Sequence, residues 1–266
     1  MDSTNNKTGI LLAAFGTSIA GADEVYTGIE NRVKALFPNL EIYLAYTSKV
    51  VREKLGRQGR IFNSPVQALG LMAEQGFSRV ALQSLLIIPG LEHHDLIRTR
   101  VSLEGLPKGI EKISLGAPLL SSSHDLERFT RNMLENIPGN RKPDEAVIFM
   151  GHGSAHPANV FYAGLQYHFW IHDQNIFVGT VEGVPGLEDV LALLKKRRIK
   201  KVHLLPLMVV AGDHAVNDMA GRQADSWVSV LKANGMDPRV TMRGLGSYEN
   251  VVDIWLDHLQ QAVDAL

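Results

Sequence analysis

Two stretches decide the fold: Gly9-Ile10-Leu11-Leu12-Ala13-Ala14-Phe15-Gly16-Thr17-Ser18 and Ala146-Val147-Ile148-Phe149-Met150-Gly151-His152-Gly153-Ser154. Each is a continuous apolar run that ends in glycine and small polar residues. Such runs are expected of strands covered on both faces of a parallel sheet. Working outward, the chain repeats itself. The run 41–45 before Tyr46-Thr47-Ser48 answers to 175–180 before Val181-Glu182-Gly183, which sets Glu182 opposite Thr47. The run 80–88, closing at Pro89-Gly90-Leu91-Glu92, answers to 202–210, closing at Ala211-Gly212-Asp213-His214. A fourth pair is 113–116 and 240–244. The second copy thus carries a His, a Glu and a His where the first carries none of them.

Helical patterns over 22–37, 65–75, 124–137, 159–172, 187–198, 213–234 and 250–263 separate these runs. Ser64-Pro65 and Ser123-His124 read as helix starts, and Gly76 and Gly235 as helix ends. The order predicts an α/β protein of two similar, doubly wound parallel-sheet domains with an active cleft between them. The Pro- and Gly-containing segment 138–143 divides them into halves 1–138 and 139–266.

Composition narrows the function. The chain has 266 residues, no cysteine, ten histidines and a formal net charge of -1. Absence of cysteine removes disulfides, thiolate nucleophiles and Cys-based metal sites, so any metal site must use His, Asp and Glu. The near-neutral charge argues against nucleic acid as a partner. No apolar run reaches the ~18 residues of a membrane span, so no membrane partner is expected. Residues 2–8 read as a polar overhang without the basic and apolar regions of a signal peptide. A cytoplasmic location is the default, and a mature exported chain fitted with a start Met would read the same way.

In open α/β sheets ligands bind beyond the carboxyl ends of the strands. His152, Glu182 and His214 follow the first, second and third strands of the second half, so the topology brings them to one rim. Singly, each has an ordinary explanation: a strand-to-helix turn containing a His, a solvated loop Glu, a His beside an N-cap Asp213. Jointly they make a ligand set of two imidazoles and a carboxylate, suited to a divalent ion such as Co²⁺, Fe²⁺, Ni²⁺ or Zn²⁺ with positions left open. Asp218, four residues beyond His214, is placed to hold its ring.

Several further motifs share one source. Met150-Gly151-His152-Gly153, the stretch 206–220 and Asp225-Ser226-Trp227 resemble the sirohydrochlorin cobaltochelatases of the anaerobic cobalamin pathway. So do Phe15-Gly16-Thr17-Ser18, Gln83-Ser84-Leu85 and the stretch 116–122. The resemblance runs from about Gly9 to the C-terminus. It implies the class II chelatase fold shared with ferrochelatases, and insertion of Co²⁺, or Fe²⁺, into sirohydrochlorin for cobalamin or sirohaem synthesis. The family's metal ligands match His152, Glu182 and His214, and the N-terminal half then forms the tetrapyrrole side.

The chemistry implied is exchange: two pyrrole protons leave as one ion enters. His152 and Glu182 are the candidates for accepting protons. Thr17, Ser18, Arg52, Ser84 and Leu85 are candidate substrate contacts, with Arg52 drawn from the cationic group Lys49, Arg52, Lys54, Arg57 and Arg60. His93-His94, expected in a loop, offers a second metal or haem contact at the interface of a homo-oligomer, with His94 favoured. Two other readings compete. A phosphohydrolase or mutase with a phosphate-carrying His wants an Arg beside it, where this chain has Gly151. A non-enzymatic carrier of tetrapyrrole or metal would use the same fold.

Overall fold

A computed structural model describes residues 7–266, so most of the overhang expected over 2–8 lies outside the described residues. Its last two residues, Lys7 and Thr8, instead open the first strand. The elements run β1 (Lys7–Ala14), α1 (Glu24–Leu36), β2 (Glu41–Tyr46), α2 (Lys49–Gly56), α3 (Pro65–Glu74), β3 (Phe77–Leu85), α4 (Leu91–Leu103), β4 (Lys112–Gly116) and α5 (Ser123–Asn136). They continue with β5 (Ala146–Gly151), α6 (Val160–His172), β6 (Ile176–Thr180), α7 (Leu187–Lys196), β7 (Lys201–Leu207), α8 (Trp227–Ala233), β8 (Asp237–Val240) and α9 (Glu249–Asp264).

The strands form two four-stranded parallel sheets, ordered β2-β1-β3-β4 and β6-β5-β7-β8. The central strands are buried on both faces, as their unbroken apolar sequences require: all six residues of β5 are inside. In the second sheet Ile148, Met150, Phe177 and Leu204 pack against Val190, Trp227 and Leu231 from the flanking helices. In the first, Leu11, Ala13 and Leu82 pack against Leu69, Met72 and Phe77. Each such large side chain contributes roughly 1.5–3 kcal/mol by leaving water. No helix among the described residues is long and apolar enough to cross a membrane.

The chain gathers into two compact units at boundaries other than 138/139. One holds residues up to Leu119 together with Val252–Leu266, and the other Leu120–Val251. The reason lies in which core each helix face fits. Phe129 of α5 meets Phe169 of α6 edge-on at 6.4 Å. From α9, Trp255 Nε1 donates to Leu86 O at 3.2 Å, and Ala262 O accepts from Ser114 Oγ. So α5 belongs to the second unit and most of α9 to the first.

Other local expectations shift too. Ser64 and Gln67 form a reciprocal cap at α3, with Pro65 in its first turn. The cap of α5 is Ser122 rather than Ser123: its Oγ accepts from Asp125 N at 3.1 Å. Helix α4 stands where a loop is expected, and the cationic group from Lys49 onward begins on α2, as a solvated helix face would. The expected long helix over 213–234 is broken into a π-turn, Ala215–Met219, and α8, because Ser226 starts a fresh helix by accepting from Ser229 N. The last strand lies at 237–240 rather than 240–244, at the sheet edge, where Pro238 is tolerated.

Candidate metal centre

The second unit brings His152, Glu182 and His214 together: one donor atom from each lies within 4.8 Å of the others. Backbone ties between adjacent strand ends set this up. Val181 N donates to Gly151 O at 3.1 Å and Glu182 N to His152 O at 2.8 Å, so the loops after β5 and β6 stay paired beyond the sheet. Gly153 makes that approach feasible. Its φ is +83°, and a Cβ there would meet Gly183 N at 2.5 Å. Asn159, which sequence reasoning passed over, clamps the same loops. Its Oδ1 accepts from Ser154 N at 3.0 Å and its Nδ2 donates to Val184 O at 2.7 Å. A lone Asn at a helix start gives no sequence signal of this kind.

Hydrogen bonds assign the imidazoles. Gly153 O can only accept, so His152 Nδ1, 2.9 Å away, carries the proton and Nε2 keeps its lone pair. His214 Nδ1 lies 2.7 Å from Asp218 Oδ2, which fixes the same tautomer. The π-turn after His214 closes with Ala220 N donating to Ala215 O, five residues back. Such widened turns recur at functional sites. The two rings meet edge-on at 4.6 Å, and His152 Nδ1 lies 3.9 Å from Glu182 Oε2. The site is open, with the Glu182 side chain 60% exposed.

The first unit repeats the frame without the ligands. Thr47 N donates to Ala14 O and Ser48 N to Phe15 O, matching the ties of Val181 and Glu182. The counterpart of Glu182 is therefore Ser48, not Thr47, and that of His152 is Phe15. His94 N bonds to Gly90 O as Val216 N bonds to Gly212 O, both at 3.0 Å, which makes Glu92 the counterpart of His214. Buried tyrosines sit beside the left-handed glycines in both copies, Tyr26 at Gly16 and Tyr162 at Gly153. Burial pushes both phenols up, that of Tyr162 to about 12.

The candidate substrate contacts divide. Thr17 is buried, its Oγ1 accepting from Ile19 N at 3.2 Å, and Ser18 is half-buried. Ser84 and Leu85 lie inside β3 at 0% and 1% exposure, so they pack beneath the rim and do not line its surface. Arg52, on α2, is half-buried with an unpartnered Nε. Of its cationic neighbours, Arg60 is paired with Asp23 and Lys49 lies 3.7 Å from Glu53. Phe15, passed over in sequence, is 43% exposed.

The adjacent histidines are not in a loop but in the first turn of α4, and the helix separates them. His93 is buried, its Nδ1 unpartnered, and burial, reinforced by the charge of His94, lowers its pKa to about 4. It stays neutral and inside. His94 is exposed.

With this geometry in place, comparison with known proteins is direct. The family model described as "Cobalt chelatase (CbiK)" matches residues 8–264. The chain belongs to the cobalt chelatase family. Sirohydrochlorin cobaltochelatase CbiKC of Nitratidesulfovibrio vulgaris is 40% identical over 262 residues, covering 98% of this chain and 92% of that one. The sirohydrochlorin cobaltochelatase of Salmonella typhimurium is 35% identical over 260 residues, covering 97% of each. Among solved structures, SirB from Bacillus subtilis with Fe3+ superposes with a TM-score of 0.64 at 14% identity, covering 97% of both chains. That likeness establishes the chelatase architecture of two parallel sheets. Among the described residues, His152, Glu182 and His214 are a group of three donors that could hold an ion.

Proposed function

We infer that this protein is a sirohydrochlorin cobaltochelatase: it inserts Co²⁺ into sirohydrochlorin and releases two protons. The observation that carries the reading is the convergence of two imidazoles and one carboxylate on an open rim, in a chain of the cobalt chelatase family. A three-donor set leaves coordination positions for water and then for pyrrole nitrogens, as a site that surrenders its ion requires. His152, Glu182 and His214 hold the incoming ion, and Asp218 orients His214. Glu182 is the group best placed to take a pyrrole proton, because its carboxylate is exposed and forms no ion pair with Lys or Arg among the described residues. His152 is the second candidate. Thr17, Ser18 and Arg52 are proposed contacts for the carboxylates of the tetrapyrrole.

The same donors accept Fe²⁺, so iron insertion toward sirohaem is the finer alternative. A carrier without turnover is disfavoured by the names of the curated relatives, both cobaltochelatases. Visible-absorbance assays of the purified protein with sirohydrochlorin and each ion in turn test the reading. A carrier would show spectral binding with no metal-dependent product beyond one equivalent.

We further propose His94, exposed on α4, as the axial contact of a haem or second ion in a homo-oligomer; His93 is withdrawn from that role by its burial. Haem-supplied expression of His94→Ala should then lose a haem absorbance band and a change in assembly size, and unchanged spectra and size overturn it.

A further inference from the structure

We propose that the second unit binds a small polyanion at the amino-terminal end of its sheet, the end opposite the metal centre. A depression of about 600 Å³ lies there, within the range of small-molecule sites. Its walls come from residues just before β5 and β6 and at the start of β7, strands whose other ends lead to His152, Glu182 and His214. At about 3.3 Å per residue, strands of this length put the two places roughly 16–23 Å apart. One site does not belong to the other.

Five cations line the depression: Lys142, Arg197, Arg198, Lys200 and Lys201. Four come from the run Lys195-Lys196-Arg197-Arg198-Ile199-Lys200-Lys201, which the chelatase reading leaves unused. Two acidic residues share the wall, but one is already engaged. Glu145 takes His203 Nε2 at 2.9 Å on one oxygen and lies 3.6 Å from Lys201 on the other. That leaves Asp144 against Lys142, Arg198 and Lys200, none of which has a carboxylate ion-pair partner among the described residues.

A basic end of α7 is ordinary, because cations near a helix C-terminus offset its partial negative charge. That accounts for Lys195 and Lys196 in the last turn of α7. It does not account for Lys142, from the segment before β5, or for Lys200. Nor does it account for Arg198, which sits at φ +58° just past the helix, where glycine is ordinarily favoured. An arginine at a strained position, on the wall of a cationic depression, points to use of its side chain. Arg197 is held beside it: it donates to Gln174 O and stacks over Phe177 at 5.3 Å. A preset guanidinium among flexible lysines suits a ligand with two or more phosphate or carboxylate groups. The overall charge of -1 disfavours a nucleic acid as occupant.

Calorimetry on the whole, metal-free protein tests this, with tripolyphosphate in one arm and propane-1,2,3-tricarboxylate in the other. The variant is Arg198→Asn, which tolerates the left-handed backbone, combined with Lys200→Ala. We expect one equivalent of at least one probe to bind, more weakly as salt rises, and at least tenfold more weakly to the variant. Metal insertion without added polyanion should be unchanged in the variant. The tighter arm identifies phosphate or carboxylate as the recognised group. No binding of either probe, equal affinity in parent and variant, or tighter binding of a short DNA duplex lost in the same variant would each overturn the proposal.

Discussion

His214 Nδ1 and Asp218 Oδ2 stand 2.7 Å apart across a single widened turn, and this contact decides which nitrogen of His214 is free for an ion. The carboxylate holds the proton on Nδ1 and sets the ring plane, which leaves Nε2 to face an ion. Asp218→Ala should therefore weaken Co²⁺ binding by about 10–100-fold, the ordinary cost of losing such support. Asp218→Asn, whose amide oxygen still accepts, should lose less. Competition with a coloured chelator measures both, and equal affinities in all three proteins would remove Asp218 from the site.

Removing a donor should be more severe. His152→Ala and His214→Ala are each expected to abolish most Co²⁺ insertion at saturating sirohydrochlorin. Both side chains are partly exposed, at 42% and 31%, so neither truncation opens a core cavity and the far-UV circular dichroism should be unchanged. A folded variant with near-parental rate counts against the assignment.

Glu182 is given two tasks, and substitution separates them from substrate binding. Glu182→Gln keeps the size and an oxygen donor but cannot take a proton in the relevant range. Insertion should slow strongly, by about 10²-fold or more if the proton transfer matters, while the dissociation constant for sirohydrochlorin stays close to the parent's. A loss confined to sirohydrochlorin binding would move Glu182 out of the metal centre.

The residues that build this site were legible in sequence to different degrees, for identifiable reasons. His152, Glu182 and His214 could be found because each follows a strand of obvious apolar pattern, and parallel topology sends all three to one end. The repeat predicts two sheets alike, and both have the same order, with the first strand of each copy between its second and third. Helix α2 has little apolar period: Lys49-Val50-Val51-Arg52-Glu53-Lys54 reads as a solvated helix face, and only Leu55 of that helix is buried. The exchange of α5 and α9 between units was equally invisible, because either amphipathic face would cover either sheet. The true counterpart of Glu182 is Ser48, one residue from the sequence alignment, because backbone ties past the strand ends set the register and side-chain patterns do not record them.

Gly153 is expected to be irreplaceable for geometric reasons. Alanine there must adopt φ +83° and also force apart the loops after β5 and β6, where its Cβ would stand 2.5 Å from Gly183 N. Strained backbone alone costs on the order of 1–3 kcal/mol, and displacement of Glu182 should follow. Gly153→Ala should thus lower the melting temperature and Co²⁺ affinity together. Gly21→Ala, at φ +80° with open space around its Cβ position, should lower stability while leaving affinity untouched. Equal effects of the two substitutions on affinity would show that the close approach at Gly153 has no bearing on the metal centre.

Acid stability should report the buried pair beneath the second sheet. Glu145 and His203 are each 4% exposed, and Glu145 also accepts from Lys142 N at 3.3 Å and lies near Lys201. The hydrogen bond from His203, followed by the Lys142 amide and the charge of Lys201, outweighs desolvation and lowers the Glu145 pKa to about 2. The sign follows from linkage: a carboxylate whose folded value lies below its unfolded one stabilises the protein fully above the unfolded value. That stabilisation fades as pH falls toward the folded value. The part of the melting-temperature gap between the parent and Glu145→Gln that comes from the Glu145 charge should therefore be fully present above about pH 5. It should shrink progressively below about pH 4.5 and close near pH 2. Thermal melts at half-unit steps of pH measure this directly, and a gap that persists unchanged at pH 3 would mean that Glu145 stabilises the fold by shape and hydrogen-bond count rather than by its charge.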